Sequence, residues 1–390
     1  MKPVGSASSP AVAIIGAGVI GLSIGWRLAE AGVPVSLFER GAAGRGASWA
    51  AAGMLAAGSE VEPGEQALFP LLRQSQALWP AFAAELTEAS GIDVGLKTEG
   101  TLTLALTRDD LGRLQQTERL HRGLGVESRW LDRAAALELE PHLNPRLASA
   151  LLVPGDHQVD NRLVVDALKR ALAGVGGVLH ENLGDVSLRT ANGRAVGVEA
   201  DGRTHTAPIV IVAAGAWSRA VPGLCPAAMP PVRPVKGQML ALGMDPAAPL
   251  VRHVVWAPKS YIVPRRDGRL IIGATVEEKG FDDRLTAGGM LALLEAAWRA
   301  VPGIEELPML ESWVGFRPGS RDDAPILGRT AIDGLLLATG HHRNGILLAP
   351  LTAKLMTELV VTGVTDPVIE AFSLARFASA SKGTAQWKSA

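Results

Sequence analysis

Cysteine occurs once in these 390 residues, at Cys225, and tyrosine once, at Tyr261. A lone cysteine excludes an intrachain disulfide framework and any metal site built from several thiolates. Neither sign of charge is in surplus, since 38 Lys and Arg face 39 Asp and Glu for a formal net charge of -1. Without a long Lys/Arg block, the chain has no general attraction for nucleic acid or anionic lipid. Uninterrupted apolar runs of membrane-spanning length are missing too: AVAIIGAGVIGLSIGW stops at Arg27 and contains Gly16, Gly18 and Gly21. The opening MKPVGSASSP is a polar leader without the apolar centre of a secretory signal. The closing ASASKGTAQWKSA loses all periodicity and reads as a loose tail. These absences favour a cytoplasmic protein with a small-molecule partner, no nucleic acid, no stable membrane insertion and no metal. What remains is ample for folding: 47% of the residues are hydrophobic, and the length permits two or three domains.

The stretch from Ala11 to Glu39, AVAIIGAGVIGLSIGWRLAEAGVPVSLFE, reads as a buried strand, a glycine turn, a helix and a second strand. Gly16, Gly18 and Gly21 fit G-x-G-x-x-G directly after the apolar run, and Glu39 closes the second strand eighteen residues later. In a dinucleotide fingerprint the first glycine permits the tight turn and the second lets backbone approach a pyrophosphate. The third lets helix and sheet pack closely, and the acidic residue holds a ribose diol. The pyrophosphate is expected against the free N–H groups near Val19 and Ile20. An acid at Glu39 favours FAD or NAD over a phosphorylated ribose.

Downstream, GRGASWAAAGMLAAG is a small-residue stretch around Ser48, suited to backbone running beside a large flat cofactor, or alternatively an alanine-rich helix start. Residues 64–90 carry apolar positions at helical spacing, GLKTEGTLTLAL alternates like a strand, and Arg108 to Arg122 reads as a solvated helix. Leu131 to Pro141 is a short helix ended by proline, and another helix starts near Asn161. His157 sits in the intervening loop with no nucleophile to pair with. Ile209 to Val212, leading into Gly215 and Trp217, resembles a closing strand of the nucleotide unit, so that domain is discontinuous in sequence. Residues 226–325 change character, with strand-like alternation, an Asp267-Gly268 hairpin and one helix over about Thr286 to Val301, which suits a separate antiparallel sheet. A second glycine-bearing strand-to-helix junction follows, with Leu335 to Ala338 as strand, Gly340 to Gly345 as turn and a helix from Ile346.

These motifs resemble the D-amino-acid oxidase superfamily of FAD-dependent amine oxidases, and within it the glycine oxidases of the thiamine pathway. The resemblance runs from Ala11 to Val361 and rests on the fingerprint, GRGASWAAAGMLA, YIVPRRDGRLIIGATVEEKGFD, GFRPGSRDDAPILG and ATGHHRNGILLAP. It implies an α/β fold, a Rossmann-like FAD-binding domain interleaved with an antiparallel or mixed-sheet substrate domain. The FAD domain would take residues 10–90, 151–225 and 326–370, and the substrate domain 91–150 and 226–325. It implies FAD contacts from Glu39, Arg40, Ser48, Ala51, Ala52, Gly53, Met54, Val186, Gly215 and Trp217, and from Gly340, Arg343, Asn344, Gly345, Ile346 and Leu347. No cysteine stands in ATGHHRNGILL and no histidine in GASWAAAGM, where covalently flavinylated relatives place them, so FAD is expected to be dissociable.

For the substrate, the resemblance assigns Arg317 of GFRPG to a carboxylate and directs the Tyr261 hydroxyl to the same group. Arg343 would lie near flavin and substrate, and Met54 would narrow the space at the α-carbon. No general base is evident in these motifs. The implied reaction is oxidation of glycine by oxygen to the imine of glyoxylate, with ammonia and hydrogen peroxide as the other products and thiazole synthesis as the destination. Sarcosine, D-alanine and D-proline stay open as substrates. Alternatives are a D-amino-acid dehydrogenase passing electrons to a quinone and a tRNA-modifying or noncatalytic FAD module. The family likeness also suggests a homotetramer.

Overall fold

A computed structural model describes residues 10–378, so the expectations of a polar leader and a loose tail fall outside the described residues. The first unit forms as read: strand Val12–Ile15, helix Val19–Glu30, strand Val35–Phe38. Both strands are buried throughout because their sheet is covered on both faces. Its order is Ile326–Arg329, Leu335–Thr339, Ile209–Val212, Val12–Ile15, Val35–Phe38, Val178–His180. All neighbours pair in parallel except the first two strands. Val12 and Ile14 point into a core shared with the helices, while Ala13 and Ile15 point to the other face against Val186, Leu188 and Val198. That alternation is the period of two a strand imposes. The second face is closed by a three-stranded antiparallel sheet, Val186–Ala191, Arg194–Ala200 and Arg203–Thr206.

The other large sheet has eight strands, in the order Met309–Gly319, Arg233–Gly243, Arg269–Gly273, Ser260–Pro264, Val254–Ala257, Thr101–Ala105, Ser149–Val153, Arg129–Leu131. It is antiparallel except where Val254–Ala257 lies beside Thr101–Ala105. Helix Ala287–Ala300, capped by the Thr286 hydroxyl on the Gly289 N–H, covers one face with Leu293 and Ala297. The expected division at 150/151 falls inside a strand, because all of Ser149–Val153 pairs with Thr101–Ala105. SALLV contains no breaker, so the chain leaves the sheet only at Pro154. The Asp267-Gly268 turn is in place, with Gly268 at φ +89°.

Helix Gly345–Thr362 lies beside the first sheet, packed against Val19–Glu30 and Phe69–Ser90. The stretch His342–Thr362 is long and apolar enough to cross a membrane by length and composition, yet 61% of that window is buried inside the protein. Pro350 interrupts its hydrogen-bond ladder. Beside that break, the Leu347 carbonyl accepts from Ser75 Oγ at 2.6 Å and Trp79 Nε1 at 3.0 Å, both from the neighbouring helix, and Ser75 Oγ in turn accepts the Leu351 N–H at 3.4 Å.

One buried side chain ties the eight-stranded sheet to the segments that frame the cofactor unit. Arg265, 5% exposed at the end of the Ser260–Pro264 strand, donates to Gln158 Oε1, the Val159 carbonyl, the Ala52 carbonyl and Asn161 Oδ1 at 2.5 to 3.0 Å. Burial, opposed by Asp160, lowers its ionisation only to about 10, so it stays charged at neutral pH. Truncating such a group strands several buried acceptors at once. Arg265→Met is expected to destabilise the protein by about 3–5 kcal/mol, read as a lowered midpoint in denaturant unfolding of the apoprotein.

Candidate active site

The fingerprint glycines are explained by contact. At Gly16, φ +103°, a Cβ would stand 2.6 Å from the Ala213 carbonyl oxygen, and at Gly21 it would stand 2.0 Å from the Gly16 oxygen. Both positions require the missing side chain, and Gly18 faces only the Ser48 hydroxyl, at 3.2 Å from its built Cβ. Ser48 Oγ accepts the Val19 N–H at 2.9 Å, occupying one of the helix-start donors. Glu39 Oε2 accepts the Ala17 N–H at 2.8 Å and Oε1 accepts the Gly41 N–H at 3.2 Å, which aims the carboxylate across the glycine turn. Each oxygen keeps acceptor capacity for a diol.

From this cradle a cavity of about 890 Å³ runs between the two large sheets. One end is walled by Gly16, Gly18, Val19, Ile20, Glu39, Arg40 and Val186. Val186 reaches it because the Gly184 N–H bonds the Arg40 carbonyl at 3.0 Å and the Asn182 N–H bonds the Gly41 carbonyl at 2.8 Å. Gly215 and Trp217 line the flank, with the Arg40 guanidinium 4.3 Å from the Trp217 ring centre. The middle is the small-residue segment, with Ser48, Ala51, Ala52, Gly53 and Met54 on one side and Gly345 and Ile346 on the other. That segment cannot drift. Asn161 Nδ2 donates to the Ser48 and Trp49 carbonyls, Trp313 Nε1 to the Ala50 carbonyl and Arg265 to the Ala52 carbonyl. A Cβ on Gly53 would meet the Val159 oxygen at 2.0 Å.

The far end holds Tyr261, Arg317, Met54, Met239 and Arg343. Arg317 projects from strand Met309–Gly319, and its Nη1 donates to the Thr275 carbonyl at 3.2 Å. Its guanidinium lies over Gly237, where a Cβ would be 2.6 Å from Nη1. Tyr261 lies over Gly273 in the same way, with its hydroxyl 2.7 Å from the built Cβ. Burial raises the Tyr261 ionisation while Arg317 beside it opposes the rise, so the hydroxyl remains a donor. Gly237 and Gly273 were not singled out by sequence, although glycine inside a strand does signal close approach of another group.

Four residues expected at the cofactor do not line the cavity: Gly21, Gly340, Asn344 and Leu347. Gly21 serves helix-to-turn packing. Gly340, φ +73°, makes the turn out of its strand beside Ile326 and Ser320. Asn344 is buried in the turn His342–Asn344, and Leu347 packs in the helical core. His157 is paired with Leu55 in a short strand and is also off the wall. Arg343 does line it but is engaged: Nη2 donates to both Glu65 oxygens at 2.7 Å and to the Glu60 carbonyl at 3.1 Å, and Nε is 3.4 Å from Glu60 Oε2. Glu60 itself, with a side chain only 8% exposed, faces the cavity. Burial lifts its ionisation to about 7, against Arg343 and with help from Asp156. The adjacent histidines His341 and His342 lie lower, both at about 3 because of burial, with Arg343 and Arg317 adding to the effect at His342.

A glycine cradle at a helix start, an acid for a ribose and an elongated slot define a dinucleotide-dependent enzyme. The family model of FAD dependent oxidoreductases, DAO, matches residues 11–359, and the chain belongs to that family. Within it the chain falls among the glycine oxidases. It is 41% identical to glycine oxidase of Geobacillus kaustophilus, over 94% of this chain and 96% of that one. The crystal structure of the Geobacillus kaustophilus enzyme superimposes with a TM-score of 0.85 at 40% identity, covering 94% of this chain and 98% of that chain. Iminodiacetate oxidase from a Chelativorans species gives 0.82 at 32% identity, covering 93% and 98%. The bifunctional protein ThiO/ThiG of Synechocystis is 36% identical over 94% of this chain, which spans 54% of that longer protein. The cofactor is therefore FAD, held without a covalent bond.

The Glu39 geometry gives a direct check on the cradle. Glu39→Gln keeps an acceptor for the backbone N–H groups but removes the charge that strengthens a diol hydrogen bond. Titration of the apoprotein by flavin fluorescence is expected to show FAD affinity weakened about 10-fold, an estimate from the difference between charged and neutral hydrogen bonds.

Proposed function

We propose that the protein oxidises glycine, with sarcosine and small D-amino acids as further candidates, to the corresponding imine, which hydrolyses to glyoxylate and ammonia. The observation that carries this reading is the Arg317–Tyr261 pair, seated over Gly237 and Gly273 at the end of the slot that the glycine cradle opens. A guanidinium with five donors binds both oxygens of a carboxylate, and the Tyr261 hydroxyl adds a donor to the same anion. Arg343 supplies no second free cation, because Glu60 and Glu65 hold it. A ligand with one carboxylate and little else fits this end. Met54 and Met239 narrow the wall around the α-carbon with adaptable thioethers. FAD, when bound, accepts a hydride from the α-carbon and passes the electrons to oxygen as hydrogen peroxide. The chain's own contribution is alignment: a fixed carboxylate anchor and a rigid small-residue wall hold the reacting carbon in one place.

Anaerobic mixing with glycine, sarcosine, D-alanine and D-proline tests the reading. Glycine is expected to bleach the flavin, air to restore it with peroxide formed, and Arg317→Ala to lose at least about 10-fold in reduction efficiency. Reduced flavin that persists in air until a quinone is added would favour the dehydrogenase alternative, and failure of every amine would sink the oxidase assignment. We further infer that the imine serves thiazole assembly in thiamine synthesis, a reading supported by likeness to the ThiO/ThiG protein. A deletion strain is expected to need added thiazole, and normal growth without it counts against this destination.

A further inference from the structure

Glycine bound through Arg317 at neutral pH arrives as an ammonium ion, and a nitrogen without a free lone pair cannot support hydride loss from its neighbouring carbon. A proton has to leave first. The cavity offers few acceptors. Tyr261 is a donor held protonated by burial. His342 faces Arg343, Arg317 and Arg233, and at about 3 it is too weak a base to hold a proton at neutral pH. His341 is bound to Thr352 Oγ1 at 3.2 Å and equally weak. Asp323 lies 3.6 Å from Arg233 and 3.9 Å from His342. Glu39 belongs to the opposite end of the slot.

Resting on the oxidase reading above, we propose that the Glu60 carboxylate takes the ammonium proton of the bound amino acid. The N–H bond breaks, the proton moves to a Glu60 oxygen, and nitrogen keeps the electron pair that becomes the C=N bond; FAD, when bound, would supply the acceptor for the α-hydrogen that leaves as hydride. The proton passes to water when product leaves. Position supports this. Glu60 lines the same cavity as Arg317 and Tyr261, and its Oε2 stands 3.4 Å from Arg343 Nε, itself on the wall of that cavity. Its side chain is 8% exposed, whereas Glu62 on the same loop is 71% exposed and turned to solvent.

The charges around Glu60 come from every neighbouring element. Arg343 stands 3.4 Å away in the turn His342–Asn344, and Arg317 faces it from the long edge strand. Asp156 lies in the turn before His157, with His121 behind it on the Gly58 carbonyl, and Glu62 and Glu65 sit on its own loop. Burial with Asp156 and Glu65 raises its ionisation and the two arginines lower it, leaving about 7. The sign follows. Below that point Glu60 carries a proton and cannot accept another; above it Glu60 is an anion and can.

The test is anaerobic flavin reduction by glycine across pH 6 to 10 in the holoenzyme, for the parent, Glu60→Gln and Glu60→Asp. The parent rate is expected to rise through about pH 7 and level off. Glu60→Gln is expected to lose about 10-fold or more near neutrality and recover as the pH approaches the amine's own ionisation, since it depends on amine already neutral in solution. Glu60→Asp keeps an acceptor and is expected to retain the rise near neutrality at lower amplitude, which guards against a variant that merely folds badly. Difference infrared spectra of parent against Glu60→Gln supply a readout independent of turnover: a carboxyl band should titrate near pH 7 in the parent alone. A Glu60→Gln profile of unchanged shape, or no such band, overturns the proposal while leaving the oxidase reading intact. A parent flavin that no amine reduces overturns both.

Discussion

The site depends on a single buried cation. Arg265 reaches out of the eight-stranded sheet and binds four acceptors that belong to residues 52, 158, 159 and 161, in the segments that lead into and out of the cofactor unit. Those acceptors are backbone carbonyls of Ala52 and Val159 and side-chain amide oxygens of Gln158 and Asn161, buried between the large sheets. Left unpaired, each would cost on the order of 1–3 kcal/mol. Arg265 is in turn too costly to bury without them. Mutual dependence of this kind fixes geometry: the segment Ala47–Met54 can take only the path that meets the guanidinium on one side and Asn161 and Trp313 on the other. The glycine cradle and the Arg317–Tyr261 pair lie on different sheets, and this clamp sets the distance between them.

Charge within the cavity is distributed with equal economy. Two arginines face the substrate end, but Arg343 is matched by Glu60 and Glu65 and Arg317 is not matched by a contacting carboxylate among the described residues. The field there favours one anion, and it is tuned by a carboxyl whose ionisation lies near neutrality. The result is a site that can hold an anion and still receive a proton beside it, because the fold brings the loop that carries Glu60 and the strand that carries Arg317 to one cavity.

Much of this was legible in the chain. The fingerprint could be read because strand, turn, helix and acid sit within one continuous stretch, where local spacing fixes geometry. Arg317, Tyr261 and the small-residue wall were reached through family motifs, and all of them line the cavity. The residues that sequence missed share a different property. Arg265 fell within the hairpin signal, and Gly237, Gly273 and Glu60 were not singled out at all. Three of them acquire their role from a partner more than twenty residues away, Arg265 from Ala52 and Asn161, Gly237 from Arg317, Glu60 from Arg343, and Gly273 acquires its role from Tyr261 across a hairpin. Leu347 shows the reverse error: it stands in a cofactor motif, but the helix turns it into the core, where its carbonyl accepts from Ser75 and Trp79. Periodicity cannot tell the cavity-facing side of a helix that is apolar almost all round.

The paired histidines of GHHRNG show why a residue type does not settle a role. Two adjacent imidazoles in a motif beside a cofactor suggest acid–base work, since histidine ordinarily titrates near neutrality. Burial removes that property here. His341 and His342 are pushed to about 3, and three arginines add to the effect at His342. They remain neutral through the working range and act as polar packing, His341 on the Thr352 hydroxyl within the terminal helix. The same burial acts on Glu60 with the opposite sign, because desolvation always opposes the charged form: it makes a base too weak in histidine and a carboxylate more basic. One apolar environment thus disables the conventional proton carriers of the site and brings a glutamate into the range where proton transfer at neutral pH is efficient.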